Sequence, residues 1–376
     1  MSNRSLIERA AKKFKETLEI VYKKDIWDKK YVGTSLLANL NNLEQVELEQ
    51  IAFVLGIYVD LDISKPELLD LLSEKLPIYV PLYLKNSDKQ AFYLIQRLLN
   101  NNGMIRYYEK DRNLVLGLRY TGIFFPVIKD ENKYIVMPEE ILGSLKLHID
   151  DSFEDLINQN QLVVDYLYGL LNLYGIIGYE HFIKSVRRDI EHLENEDQWY
   201  YLGLIKFQER VNPHFDSQNN KLYLFKIVHN DLSSLQDYYR SYNLRFKQLT
   251  KEEILKLGRQ TSTETQTFTK LKTLFMEYFA IKDNDEGITE VLSALTEKMK
   301  VGYTFIECIS LINQYFIFSR KDQTGAIAFL NKLLTIYFDT PMYALKGYTL
   351  AEAQKIANVY VPQINVSNYL DKLRYK

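Results

Sequence analysis

Along most of the chain, apolar residues recur every three to four positions, the spacing of helices that bury one face. Leu6, Ile7, Phe14, Leu18, Val21 and Tyr22 keep this spacing and predict an opening helix over residues 4–30. A second helix runs from Leu43 to Leu55 and stops at Gly56, and a short extended piece, Ile57 to Ile63, follows. The next helix opens at Ser64. Ser64 and Glu67 have the spacing of a capping box, in which the serine oxygen accepts from a free first-turn N–H and the glutamate accepts from the serine N–H. Pro66 suits that first turn, where its missing N–H has no partner to lose. Pro77 and Pro81 predict an end near Leu76, because an interior proline removes a hydrogen bond and crowds the preceding turn.

Downstream the period changes. Asp88 to Asn102 is an amphipathic helix ending at Gly103, and Leu114 to Tyr120 predicts a shorter one. Two apolar runs, Gly122 to Ile128 and Tyr134 to Pro138, then flank the charged turn Lys129 to Lys133, the pattern of a β-hairpin. Helices followed by such a hairpin make a winged-helix plan, with the hairpin as wing. The plan recurs: Leu98-Leu-Asn-Asn-Asn-Gly-Met-Ile105 matches Leu170-Leu-Asn-Leu-Tyr-Gly-Ile-Ile177 at five of eight positions. Asn132-Lys133 precedes one apolar strand, and Asn220-Lys221 precedes another, Leu222 to Val228. After that the pattern is helical again, near 264–281, 286–300, 303–318 and 323–338, with capping boxes at Thr250/Glu253 and Thr349/Glu352. The predicted fold class is mainly α with short β-hairpins (α+β). A helical N-terminal region fills residues 1–80, winged-helix-like units fill 81–148 and 149–248, and a helical C-terminal domain fills 249–376.

The run Leu43, Leu48, Ile51, Ala52, Leu55, Gly56, Ile57, with Lys65, Glu67, Leu68, Leu69 and Leu72, resembles the helix–extension–helix of the Rho termination factor N-terminal domain and the similar SAP module. The resemblance spans about residues 40–77 and implies a small nucleic-acid-binding or scaffolding module. Eight acidic residues stand against Lys65 and Lys75 between Asn41 and Leu76, a surface that repels phosphate. Tyr343-Ala-Leu-Lys-Gly-Tyr-Thr-Leu350 resembles a segment preceding the SEC-C tail of uncharacterised bacterial proteins. The zinc-binding cysteines of that tail are absent here, so the resemblance implies no zinc role.

Charge divides the two hairpin units. Lys85 to Lys133 carries nine basic and five acidic residues, whereas Asp150 to Gln198 carries eleven acidic residues against Lys184, Arg187 and Arg188. Cys308 is the only cysteine, which excludes an internal disulfide or a cysteine-based zinc site and suits a reducing, cytoplasmic setting. No secretory signal precedes the first apolar run. The most apolar segment, Leu162 to Tyr179, is interrupted by Asp165, Asn172 and three glycines and is read as a buried helix, with no membrane partner expected.

Candidate chemistry is sparse. Asp130 and Glu131-Asn-Lys133 echo the Glu-x-Lys element of metal-dependent nucleases, but they sit where the hairpin must turn. His148, His181, His192, His214 and His229 show no i, i+4 pair for a metal, and Cys308 lies on an apolar helix face. No catalytic residue, metal or cofactor is assigned. The remaining signal is basic: Arg106, Arg112, Arg119, Lys129 and Lys133 are the candidate phosphate contacts, with Tyr107, Tyr108 and Lys110 interleaved. The leading expectation is a non-enzymatic regulatory or adaptor protein touching DNA or RNA through the unit at 81–148. The rival is a protein-interaction scaffold whose units bind a protein partner, and a weaker third is a metal-dependent hydrolase.

Overall fold

The structure, a computed structural model, describes residues 26–60, 62–213, 215–218, 220–224, 244–281, 286–357 and 364–375. The fold is mainly helical, with two small antiparallel three-stranded sheets. Backbone contacts divide it into two compact units, Met1–Leu162 with Asp197–Pro213, and Val163–Glu196 with His214–Lys376.

In the first unit, α1 (Leu36–Asn41), α2 (Gln45–Val54) and α3 (Lys65–Leu84) come first, followed by α4 (Lys89–Asn100). Of the predicted opening helix, residues 1–25 lie outside the described residues. Residues 26–30 are not helical: they form a turn and a strand-like bridge from Lys30 to Ile128. The capping box of Ser64 and Glu67 opens α3 as read from the sequence. The predicted end near Leu76 is corrected, because α3 continues through Pro77 and Pro81 to Leu84. Leu68, Leu72, Leu76, Val80 and Leu84 are all fully buried, one apolar stripe at four-residue spacing that runs straight past the prolines. Burying Val80 and Leu84 returns about 3–6 kcal/mol together, comparable with about 6 kcal/mol for two interior prolines. Pro81 also has no N–H for the Pro77 carbonyl, and the Ser144 hydroxyl donates to that carbonyl instead.

Next come β1 (Met104–Arg106), a 3-10 turn at Glu109–Asp111, α5 (Arg112–Leu118), the hairpin β2 (Phe125–Lys129) and β3 (Asn132–Val136), and α6 (Glu139–His148). The strand order is β1-β3-β2. The helix α7 (Asp151–Tyr174) begins in this unit, where Phe153 and Ile157 join its core, and the division between the units falls within it. The last piece of the unit is α9 (Gln198–Val211), which brings Phe207 and Val211 to the same core. Buried polar groups hold it there. Asp88 caps α4 by accepting from the Ala91 N–H at 2.8 Å and accepts from the Gln208 amide at 2.8 Å. The Tyr200 hydroxyl donates to Asn160, whose amide donates to the Lys85 and Ser87 carbonyls.

The eight-residue repeat has a structural meaning. Gly103 ends α4 at φ +80° and leads into β1, and Gly175 ends α7 at φ +75° and leads into β4 (Ile176–Gly178). Both need the left-handed conformation that glycine adopts without strain. In the second unit β4 is followed by α8 (Tyr179–Asp189) and later by β5 (Phe215–Gln218) and β6 (Lys221–Leu224), in the order β4-β6-β5. The predicted strand Leu222 to Val228 thus begins at Lys221, and its residues 225–228 lie outside the described residues.

The rest of the second unit is helical: α10 (Lys251–Arg259), α11 (Gln266–Phe279), α12 (Glu286–Val301), α13 (Phe305–Tyr315), α14 (Gln323–Asp339) and α15 (Leu350–Ala357). Capping boxes open α10 at Thr250 and α13 at Thr304, and Thr349 with Glu352 exchanges the same two bonds before α15. Leu271, Leu274, Phe275, Leu292, Leu295, Met299, Ile309, Leu330 and Leu333 form its core. Around Phe275, the rings of Phe279, Phe316 and Phe329 pack with centroids 5.0–5.7 Å apart.

Candidate nucleic-acid interface

The first sheet carries the candidate residues. Arg106 stands opposite Tyr134, Lys129 opposite Asn132, and Lys133 opposite Ile128. This register places the end of β1, the end of β2 and the start of β3 together, so the three cations share one end of the sheet. Asp130 and Glu131 form a two-residue turn with φ of 48° and 62°, the twist that joins antiparallel strands most tightly. The strands therefore run closer to the tip than the charged pattern Lys129 to Lys133 suggests. Asn132 braces the turn: its amide donates to the Asp130 carbonyl at 2.7 Å, and its side-chain oxygen accepts from Arg106 at 3.0 Å.

Residues 26–31 lie along the outer edge of β2. The Tyr31 N–H donates to the Ile128 carbonyl at 3.0 Å, and the Ile128 N–H donates to the Lys29 carbonyl at 2.8 Å. This strap supplies aromatic rings to the cations, with Lys129 4.5 Å from the Tyr31 centroid and Lys133 5.2 Å from that of Trp27. Trp27 packs edge-on against Tyr107 at 4.6 Å. Lys29 pins the strap through a 3.0 Å ion pair with Glu47, which also accepts the Glu44 N–H in the capping box of α2. Burial alone pulls the Lys29 pKa down, but the hydrogen bond and charge of Glu47, with Asp28, raise it above the usual lysine value.

The other two candidates sit differently. Arg112, at the start of α5, pairs with Glu109 at 3.1 Å, both side chains well exposed. Glu109 also accepts from the Tyr107 hydroxyl, and Arg112 first, then Tyr107, hold its carboxyl below the usual range. Burial, with Glu109 beside it, pushes the Tyr107 hydroxyl up to about 12. Arg119 is only 6% exposed, its guanidinium 4.5 Å from the Tyr120 centroid, and it lines a small cleft with Asn39 and Glu47. The structure brings Arg106, Lys129 and Lys133 together at the hairpin and places Arg119 inside the fold. Among the described residues, no carboxylate lies within ion-pair distance of Arg106, Lys110, Lys129 or Lys133.

Sequence reasoning passed over Tyr93 and Arg97, one turn apart on α4. Arg97 forms a 2.8 Å ion pair with the buried Asp111, and its guanidinium lies 6.0 Å from the Tyr93 centroid and 5.5 Å from that of Tyr108. Lys110 lies 5.9 Å from Tyr108 as well. The available signal was the i, i+4 spacing of Tyr93 and Arg97 on the polar face of an amphipathic helix.

The remaining candidates have structural surroundings. His148 lies 2.8 Å from the Ser144 carbonyl, and His181 packs on Phe246 at 5.0 Å, with burial, then Arg188 and Lys184, lowering its pKa. His214 and His229 lie outside the described residues. Cys308 is buried in the second core, which pushes its thiol up to about 12. Among the described residues, no three His, Cys, Asp or Glu side chains group as metal ligands do, and no helix is long and apolar enough to cross a membrane. Compared with family models, curated proteins and solved structures, the chain matches none.

Proposed function

We propose that this chain is a non-enzymatic adaptor or regulatory protein that contacts nucleic acid through the hairpin end of a winged-helix-like unit. The helix–strand–helix–hairpin order, with the hairpin's second strand central, supports the winged-helix reading of both sheets. The observation that carries the contact is the grouping of Arg106, Lys129 and Lys133 at one sheet end with no carboxylate in ion-pair distance among the described residues. Phosphate contacts of this kind position a protein on nucleic acid without reading its bases. Asp130 and Glu131 at the turn reduce the field, so the contact is weak and sensitive to salt. The acid-rich helix–extension–helix at α2 and α3 fits a Rho/SAP-like module used as scaffold.

The test is binding to labelled DNA and RNA across a salt series, for wild type and for Arg106→Glu combined with Lys133→Glu. Expected is affinity that falls steeply with salt, a variant about tenfold weaker at low salt, and a slope on duplex DNA shallower by about 0.9 for each phosphate the variant no longer neutralises. Absence of binding even at low salt refutes the proposal. A second reading, docking of a protein partner, is favoured by the pairing of Arg112 with Glu109 and of Arg97 with Asp111, and by the acid-rich stretch from Asp150 to Gln198.

A further inference from the structure

Tyr93 and Tyr108 are 59% and 54% exposed, and the two rings share one arginine. Arg97, whose side chain is only 17% exposed, lies over both, and its ion pair with the buried Asp111 fixes the guanidinium in place. Each ring thus has a held cation near it while more than half of the residue stays exposed. The backbone fixes the set as well: Tyr93 and Arg97 are on α4, and Tyr108 lies between β1 and the 3-10 turn that carries Asp111. Lys110 stands over Tyr108, and Arg106 lies two residues before it, neither with a carboxylate in ion-pair distance among the described residues.

We infer that this aromatic pair is a stacking platform for the unpaired bases of a single-stranded nucleic acid. Every base has a π-face, so a half-exposed ring held in place accepts a base without regard to sequence, while nearby cations follow the phosphates. The bases of a duplex are already stacked on one another and cannot use such a platform without unpairing. Arg97 adds the weakly hydrated, planar cation that binds aromatic faces best. Its charge is committed to Asp111, so phosphate attraction falls to Lys110 and Arg106. The inference rests on the nucleic-acid reading above; its aromatic pair lies outside the hairpin set, the two share Arg106, and it concerns a different form of nucleic acid.

The experiment measures binding of the full chain to a fluorescein-labelled dT12, the matching single-stranded RNA and a 12-base-pair duplex. Wild type is compared with Tyr93→Ala/Tyr108→Ala, Tyr93→Phe/Tyr108→Phe and the hairpin variant Lys129→Glu/Lys133→Glu, which spares the Arg106 that both surfaces share. Expected is a loss of about 10- to 100-fold in single-strand affinity for the alanine pair, near-complete retention for the phenylalanine pair, and little change on duplex. Thermal melts of each variant check that the fold is kept. As a direct readout, Tyr108→Trp in a Trp27→Phe/Trp199→Phe background should show indole fluorescence quenched by dT12. Single-strand binding that survives the alanine pair, without quenching, overturns the platform and leaves the hairpin reading standing. Binding of no nucleic acid by wild type overturns both and points to a protein partner.

Discussion

The two sheets share strand order, a glycine at positive φ before the first strand and a tight hairpin, yet they carry different charge. In the first, β1, β2 and β3 contribute Arg106, Lys129 and Lys133; in the second, Lys221 is the only basic residue on β4, β5 and β6. The comparison separates what the topology requires from what rides on it. Strand order follows from inward apolar positions and a glycine turn, which the repeat preserves. Outward positions near the hairpin bear little of that load, so the two sheets can carry different charge there without a change of topology.

The comparison breaks most severely at the two glycines. A Cβ on Gly103 would lie 2.6 Å from the Met137 carbonyl oxygen, and one on Gly175 would lie 2.7 Å from the Tyr343 ring. Gly103→Ala should destabilise the first unit by about 3 kcal/mol, since left-handed strain adds to overpacking against backbone that cannot yield. Gly175→Ala should lose about as much in the second unit, because the atoms it meets belong to the near end of the buried Tyr343 ring. Hydrogen exchange with urea titration reads both; a fall in protection confined to the other unit would refute the equivalence.

A smaller effect concerns the buried cap of α4 in the first unit. Asp88→Ala removes a helix cap and the acceptor of the buried Gln208 amide, and stability should fall by about 2 kcal/mol. Asp88→Asn, which keeps the capping oxygen but turns an N–H donor toward the Gln208 amide, should recover about half of it in the same urea titration. Equal loss for both would show that the cap contributes little.

The smallest contrast is in pH. In the second unit, Arg188, helped by Tyr166, holds the Asp189 carboxyl below the usual range. A depressed folded pKa gives stability that is present above about pH 4 and lost as pH falls through the folded value. In the first unit the raised pKa of Lys29 gives stability that is present below about pH 10.4 and lost as pH rises through the folded value. Asp189→Asn should therefore flatten the acid limb of Tm against pH, and Lys29→Met the alkaline limb. An unchanged acid limb in Asp189→Asn would show that this pair is not coupled to folding.

Local rules were legible in the sequence where a few neighbouring residues decide the outcome. Ser64 with Glu67 and Thr250 with Glu253 cap helices at the expected positions, and the Leu-Leu-Asn-x-x-Gly repeat marks two equivalent helix ends. Legibility failed where the deciding partner is distant in the chain. The prolines of α3 are tolerated because Ser144 and a deep apolar stripe compensate, and Ser144 lies 67 residues beyond Pro77. Within the candidate site, the hairpin and its lysines followed from alternation and turn chemistry. The internal place of Arg119 did not, because one basic residue after a short helix looks the same whether it faces solvent or a cleft. The Tyr93–Arg97–Tyr108 platform needed the fold to bring α4 beside the loop after β1.

The position of α9 sets an order of events during synthesis. The first 162 residues leave the ribosome without the helix that supplies Phe207 and Val211 to their core and Gln208 to Asp88. Before that helix arrives, the stretch from Val163 to Glu196 must emerge and wait without β5, β6 and the C-terminal helices of its own unit. At roughly 5–20 residues per second, the first unit stays incomplete for several seconds after its leading portion appears. During that interval the apolar surface that packs against α9 lacks its partner, so a nascent chain arrested just short of residue 197 should bind chaperones more than one arrested after residue 213.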